Sequence, residues 1–299
     1  MKVTLKKRNG KFIGGLDVSE DCTVEEFKQL FYTHYRYYPE RQRWTFGDAK
    51  GKPLIGDASL AECGVHDGSV LVFKDLGVQI SWRLVFVLEY LGPLLIFPIF
   101  YFFPSTVYAV RNPPEKCLAQ KVCFWLAMLH FTKRELETLF VHRFSSSTMP
   151  IISVPRNCGH YWGLFGVLVG YFLFHPRYKP LWPDNQSHLP ICLLATAMLL
   201  FELLNFKTHL ILRNLRPRGT RQRGIPRGWG FEYVSCANYF YETLCWVCFS
   251  LLSWTLTSWI FTAVGFVTMA KWALKKQRNY EAQFPDYPRG RKAIVPFLL

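Results

Sequence analysis

Hydrophobic and polar positions change rhythm along this chain. Val3 and Leu5 alternate with polar neighbours, Asn9-Gly10 marks a turn, and Phe12 to Val18 resumes the alternation, the period-two pattern of a β-hairpin. Thr23 followed three residues later by Glu26 has capping-box form, and Val24, Phe27, Leu30 and Phe31 then recur at helical spacing, which predicts a helix through about Phe31. Trp44 to Phe46 and Ser69 to Phe73 read as further strands. Two strands, a helix and two more strands predict a small α+β domain over residues 1–76.

After Leu76 both short periods give way to long apolar runs. A helix needs about 20 mainly apolar residues to cross a bilayer. Leu84–Phe103 supplies one such run, interrupted by Glu89 and by Gly92-Pro93. A second starts near Cys117, stays apolar to His130, and continues in helical phase through a charged stretch to Phe144. Cys158–Phe174 and Leu189–Leu212 follow, and Tyr239–Ala273 is long enough for two spans with a break near Ser253 to Ser258. Residues 77–299 therefore predict a mainly α, polytopic membrane domain of about six transmembrane helices.

Charge orients that domain. With the N-terminal domain in the cytosol, one face receives Lys133, Arg134, Arg143, Arg156, the arginines after Arg213, and Lys271, Lys275, Lys276 and Arg278; the other receives only Arg111, Lys116, Arg177 and Lys179. This asymmetry satisfies the positive-inside rule with both termini cytosolic. Half the residues are hydrophobic and the net charge is +15, a mixture too apolar for a nucleic-acid binder, so the basic balance points to cytosolic loops and anionic headgroups of a lipid bilayer. Residues 1–20 are polar and charged, unlike a signal peptide. The nine cysteines have no spacing that makes a disulfide framework; Cys245 and Cys248 have C-x-x-C form but sit in an apolar run, where packing explains them better than metal. The eight histidines show no ligand spacing, and no metal is expected.

Candidate chemistry concentrates between Asn205 and Glu242. If the fourth apolar helix runs to Arg216, then Asn205, His209, Arg213 and Arg216 fall within about 80° of one another, at roughly 100° per residue. Polar groups inside a membrane helix are costly and mark sites by default. Beyond them Arg218, Arg221, Arg223 and Arg227 crowd a Gly/Pro-broken loop, where guanidinium forks could grip phosphate oxygens, although such a cluster also serves as a topology signal. The loop feeds Asn238, Tyr239 and Glu242. In the second helix, Lys133 and Arg134 stand four and three residues before Glu137, which allows ion pairs along one helix. No G-x-G-x-x-G follows a strand and no Walker A loop exists, so a nicotinamide cofactor would have to be held outside a Rossmann fold.

Several runs together resemble a known family. P-E-R-Q-R-W-T-F (39–46) and G-K-P-L (51–54), in the order of strands given above, are similar to the ubiquitin fold. L-E-T-L-F-V-H-R-F (136–144), N-x3-H-x3-R-x-L-R (205–216), I-P-R-G (225–228), S-C-A-N-Y-x2-E (235–242), W-A-L-K-K (272–276) and D-Y-P…I-V-P-F-L-L (286–299) resemble the very-long-chain trans-2-enoyl-CoA reductases of the endoplasmic reticulum, a branch of the steroid 5α-reductase family that carries an N-terminal ubiquitin-like domain. The resemblance covers essentially the whole chain, including F-K-D-L-G (73–77) and E-Y-L-G-P-L (89–94). It implies NADPH-dependent reduction of the C2–C3 double bond of a very-long-chain trans-2-enoyl-CoA, the last step of fatty-acid elongation, beside other elongation enzymes. It maps the family's catalytic tyrosine and lysine onto Tyr239 and Lys133, and its cofactor-binding polar residues onto Asn205, Arg216, Asn238, Glu242, Tyr280 and Arg291, with His209 and Arg213 on the same helix face. Ala237 departs from the Pro that many relatives carry, and His209 stands where steroid-reducing relatives have an acid.

The residue types suit that chemistry. Hydride arriving at C3 pushes charge onto the thioester oxygen, so Tyr239 is expected either to stabilise that charge or to protonate C2, with the Lys133 cation making its proton more acidic. The plain alternative makes Tyr239 an interfacial aromatic and Lys133 a snorkelling anchor. Competing functions are a membrane S-adenosylmethionine-dependent methyltransferase, which would not need so many arginines; a non-enzymatic adaptor, which predicts no ordered polar face on the fourth helix; and a steroid enone reductase.

Overall fold

The computed structural model describes residues 1–56, 58–144, 148–217 and 224–299 and divides into two compact units. The first unit is built on Met1–Ser81. Strands β1 (Lys2–Lys7), β2 (Phe12–Asp17), β3 (Gln42–Phe46) and β4 (Val70–Asp75) form a sheet in the order β2-β1-β4-β3. β1 and β4 run parallel, which requires a crossover, and helix α1 (Val24–Tyr35) belongs to it; the other pairs are antiparallel. Alternation dictates the core: Val3, Leu5 and Leu71 turn inward onto Phe27, Phe31 and Trp44, all fully buried. Thr23 makes the expected capping box with Glu26, accepting from its N–H at 3.2 Å while the Glu26 carboxylate accepts from the Thr23 N–H at 2.8 Å. α1 extends one turn beyond Phe31 because Tyr35 stacks on Phe31 at 4.6 Å, and it closes with Arg36 in the left-handed region at φ 62°.

Beyond β4 a short strand, β5 (Gln79–Ser81), pairs with β6 (Thr148–Pro150), which joins the first unit. The second unit is helical. It contains α2 (Trp82–Phe102), α3 (Pro104–Val107), α4 (Leu118–Leu136), α5 (Val154–Cys158), α6 (Gly170–Leu173), α7 (Leu189–Asn214), α8 (Ala237–Ser253) and α9 (Leu256–Gln283). Among the described residues, α2 and α7 are long and apolar enough to cross a membrane.

Gly92-Pro93 does not break α2. Gly92 is needed for a different reason: a Cβ there would lie 1.9 Å from Trp162 Cδ1, and the Trp162 indole N–H uses the gap to donate to the Leu88 carbonyl at 2.8 Å. The predicted third span is a continuous helical segment whose middle, Gly159–Val169, widens into π-helix between α5 and α6. α4 likewise continues as a π turn over Glu137–Val141 before ending at His142. α7 stops at Asn214, short of Arg216, because Pro217 disfavours helical backbone at the residue before it. The break in the last apolar run falls at Trp254-Thr255, where Trp254 adopts φ 43° and the Thr255 hydroxyl caps α9 at Ser258. All nine cysteines are free, and Cys245 and Cys248 are buried within α8. The core of this unit is aromatic, with Phe97, Phe131, Phe165, Phe249 and Trp246 packed together.

Candidate active site

α4, α7 and α8 converge on a closed ring of polar side chains. Starting on α4, the Lys133 ammonium donates to Glu202 Oε2 and to Asn205 Oδ1, both at 2.6 Å, on α7. Glu202 Oε1 lies 2.6 Å from His130 Nδ1, which returns to α4 one turn before Lys133. His130 Nε2 faces Glu242 Oε1 on α8 at 3.4 Å, and Glu242 Oε2 accepts from Asn205 Nδ2 at 3.2 Å, which closes the ring. Helical spacing builds it: His130 and Lys133 are three apart, and so are Glu202 and Asn205, so each pair shares a helix face. Glu202, Asn205 and His130 are at most 3% exposed, and buried polar groups of this kind persist only when partnered.

A second cluster joins the ring through Lys133, whose ammonium lies 3.8 Å from Glu137 Oε1. Arg134 donates to Glu137 Oε2 and to the Tyr90 hydroxyl, each at 2.8 Å, and His209 Nδ1 lies 2.9 Å from Glu137 Oε1. The ion pairs expected along α4 are thus present, and His209 enters the site through Glu137. Glu137, His142 and His209 also bring potential ligand atoms within 4.8 Å of one another, a grouping that sequence spacing hid because His209 comes from another helix. Both oxygens of Glu137 are already met by Arg134, Lys133 and His209, and two cations beside the cluster oppose a dication.

Asn238 and Tyr239 open α8. Asn205 Nδ2 donates to the Asn238 carbonyl at 2.9 Å, which ties the ring to the first turn of that helix. Tyr239 is half-buried and packs with Cys236, Ala270, Ala273, Ala293 and Ile294. Among the described residues no hydrogen bond joins Tyr239 to Lys133. The chain end holds this turn in place: Ser235 and Cys236 donate to the carbonyls of Lys292 and Ala293 at 2.7 and 3.1 Å. Arg291, 2% exposed, donates to the Pro226 carbonyl at 2.8 Å and lies over the Tyr287 ring, and Tyr280 stacks on Tyr287 at 5.4 Å. Tyr280 and Arg291 therefore form a group of their own. Ala237 is fully buried at the start of α8.

Past the end of α7, Arg143 and Arg216 each donate to the other's backbone carbonyl, and Arg143 also reaches the Arg213 carbonyl at 3.2 Å. Arg218, Arg221 and Arg223 lie outside the described residues. Arg227 is described and exposed. The sequence reading missed His130, Glu202 and Tyr90. Glu202 was within reach, since it extends the face of Asn205 and His209 by one turn.

Several buried polar atoms have no hydrogen-bond partner among the described residues, among them Arg134 Nε, Asn238 Oδ1 and Arg291 Nε. These are atoms a bound polar molecule would satisfy. Guanidinium donors and an amide acceptor are groups that the phosphates and carboxamide of a nicotinamide dinucleotide would satisfy.

Comparison with known proteins shows the family to which the chain belongs. The family model described as 3-oxo-5-alpha-steroid 4-dehydrogenase matches residues 147–299, and the ubiquitin family matches residues 3–73. The first match makes the helical unit that of an oxidoreductase. A very-long-chain enoyl-CoA reductase of Dictyostelium discoideum is 43% identical over 302 residues, covering 99% of this chain and 98% of its own. Trans-2,3-enoyl-CoA reductase-like proteins of Bos taurus and Homo sapiens are 31% and 30% identical, each over 94% of this chain and 78% of their own. The chain belongs to the enoyl-CoA reductases of the 3-oxo-5-alpha-steroid 4-dehydrogenase family, with an N-terminal domain of the ubiquitin family.

Proposed function

We propose that this chain reduces the C2–C3 double bond of very-long-chain trans-2-enoyl-CoA with NADPH, as the last step of fatty-acid elongation. The observation that carries the reading is the buried polar ring at the mouth of α8, in a chain 43% identical over its full length to an enzyme of that name. The cofactor is held by Asn205, His209, Arg213, Arg216, Asn238, Glu242, Tyr280 and Arg291, with the arginines on its phosphates. Bound there, NADPH supplies the hydride that reaches C3. Tyr239 delivers the proton to C2 and regains one from cytosolic water; Lys133 supports it from α4 through Asn205. The helical unit is a multi-pass domain of about six spans in the endoplasmic reticulum membrane, from residue 77 to the end. The ubiquitin-like domain, residues 1–76, faces the cytosol, as does the C-terminus, and other elongation enzymes are neighbours.

The purified protein tests this directly. Given NADPH and a long-chain trans-2-enoyl-CoA, it should oxidise the cofactor and yield the saturated acyl-CoA. Absence of turnover, with methyl transfer from S-adenosylmethionine instead, would overturn the reading.

A further inference from the structure

The Lys133 ammonium has three N–H donors. It lies within hydrogen-bonding distance of three acceptors: Glu202 Oε2 at 2.6 Å, the Glu202 carbonyl at 3.2 Å, and Asn205 Oδ1 at 2.6 Å. Its full complement is spent inside the protein, and two of its three acceptors belong to one residue. Glu202 is 3% exposed and its other oxygen is met by His130, itself 1% exposed. His130 is fixed in turn by Trp246, whose ring stands edge-on at 4.5 Å.

We infer that Glu202 and His130 are positioning residues, which hold the Lys133 cation on Asn205 so that it acts through that amide rather than by giving a proton to substrate. This rests on the enoyl-reductase reading above. With its oxygen engaged by Lys133, Asn205 can present only its Nδ2 side to α8, where it serves the Asn238 carbonyl and Glu242 Oε2 together. Asn238 precedes Tyr239, so the line from Glu202 through Lys133 and Asn205 ends beside the proposed acid. A carboxylate that only stapled α4 to α7 would need one partner; here it is divided between two groups three residues apart on α4, and the second of them also faces Glu242.

Full-length wild type, Glu202→Gln, Glu202→Asp and His130→Gln are compared in lipid nanodiscs, each checked for thermal unfolding. Trace acetylation with acetic anhydride, read at Lys133 by mass spectrometry without cofactor, reports its environment independently of activity. In Glu202→Gln the labelling of Lys133 relative to Lys271 should rise about tenfold, because the ammonium loses the carboxylate that holds it at 2.6 Å. At saturating NADPH, kcat should fall by about 10²-fold, as for a misplaced catalytic group, with KM for the enoyl-CoA unchanged. Glu202→Asp should recover part of both effects, and His130→Gln should show the same pattern more weakly. Should Glu202→Gln fail to fold, the Asp and His130 variants carry the same comparison. A folded Glu202→Gln with wild-type labelling and kcat, or a loss confined to the unfolding temperature, overturns the inference and leaves the function standing. A folded wild type that reduces no enoyl thioester removes both.

Discussion

Asn205 Nδ2 donates to the Asn238 carbonyl at 2.9 Å, a contact between α7 and α8 across thirty-three residues, one position before Tyr239. Asn205→Asp keeps the shape and removes the donor. The Asn238 carbonyl and Glu242 Oε2 both lose this donor, and a second carboxylate is placed 3.2 Å from the first. Losing a buried donor costs about 1–3 kcal/mol. Thermal unfolding in nanodiscs should shift down accordingly and turnover should fall with it. Unchanged values for both would mean that the amide does not organise α8.

Gly92 is required by its neighbour rather than by its backbone. Gly92→Ala sets a methyl group against the Trp162 indole, which is held by the Leu88 carbonyl, and overpacking of this kind costs about 1–3 kcal/mol. The unfolding midpoint should drop, and Trp162→Phe in the same chain should recover part of the loss. If the double variant is no more stable than Gly92→Ala alone, the clash is not the cause.

How much of this was legible depends on what surrounds each element. The ubiquitin-like domain sits in water on one side and core on the other, so Val3, Leu5, Phe27 and Phe31 announce their faces by period. The helical unit is built from long, mainly apolar runs, and periodicity there loses its contrast. The break at Trp254 could be read; the π stretch at Gly159–Val169 could not, because nothing in an all-apolar run distinguishes it. Within the site, Asn205 and Glu242 were found by phase and motif. His130 looked like the last residue of a span, and its role exists only because Glu202 arrives from a helix seventy-two residues away.

Arg41 forms a two-pronged contact with Asp75, its Nε and Nη2 donating to the two carboxylate oxygens at 3.1 and 2.7 Å. The guanidinium holds the Asp75 carboxyl below its ordinary range. A depressed carboxylate stabilises the fold above its unfolded pKa and loses that contribution as pH falls through the folded value. Asp75→Asn should therefore be less stable than wild type near neutrality, and the difference should close below about pH 4. Unfolding curves of both proteins across pH 2–7 check this; a gap that persists at the acid end would assign the loss to packing.

The proposed catalytic residues all lie beyond residue 130. A chain starting near Gly77 keeps β5 and its partner β6, so it should retain measurable turnover when correctly inserted. Complete loss in a folded, inserted truncation would show that the ubiquitin-like domain completes the site.

Tyr239→Phe removes one oxygen and keeps the ring that packs against Ala270, Ala273 and Ile294, so a tyrosine serving only that packing should lose little. If its hydroxyl protonates the enoyl thioester, turnover should drop by about 10²–10⁴-fold, the usual contribution of a positioned acid. NADPH binding, measured by fluorescence, should stay near wild type because the residues proposed for its phosphates are left unchanged. Lys133→Met empties the place that Glu202 and Asn205 surround, and it should impair the same step. Residues that act as one unit give non-additive losses, so Tyr239→Phe with Lys133→Met should fall little further than the worse single variant. Losses that multiply would separate the two residues, and near-wild-type turnover in Tyr239→Phe would remove the tyrosine from the chemistry.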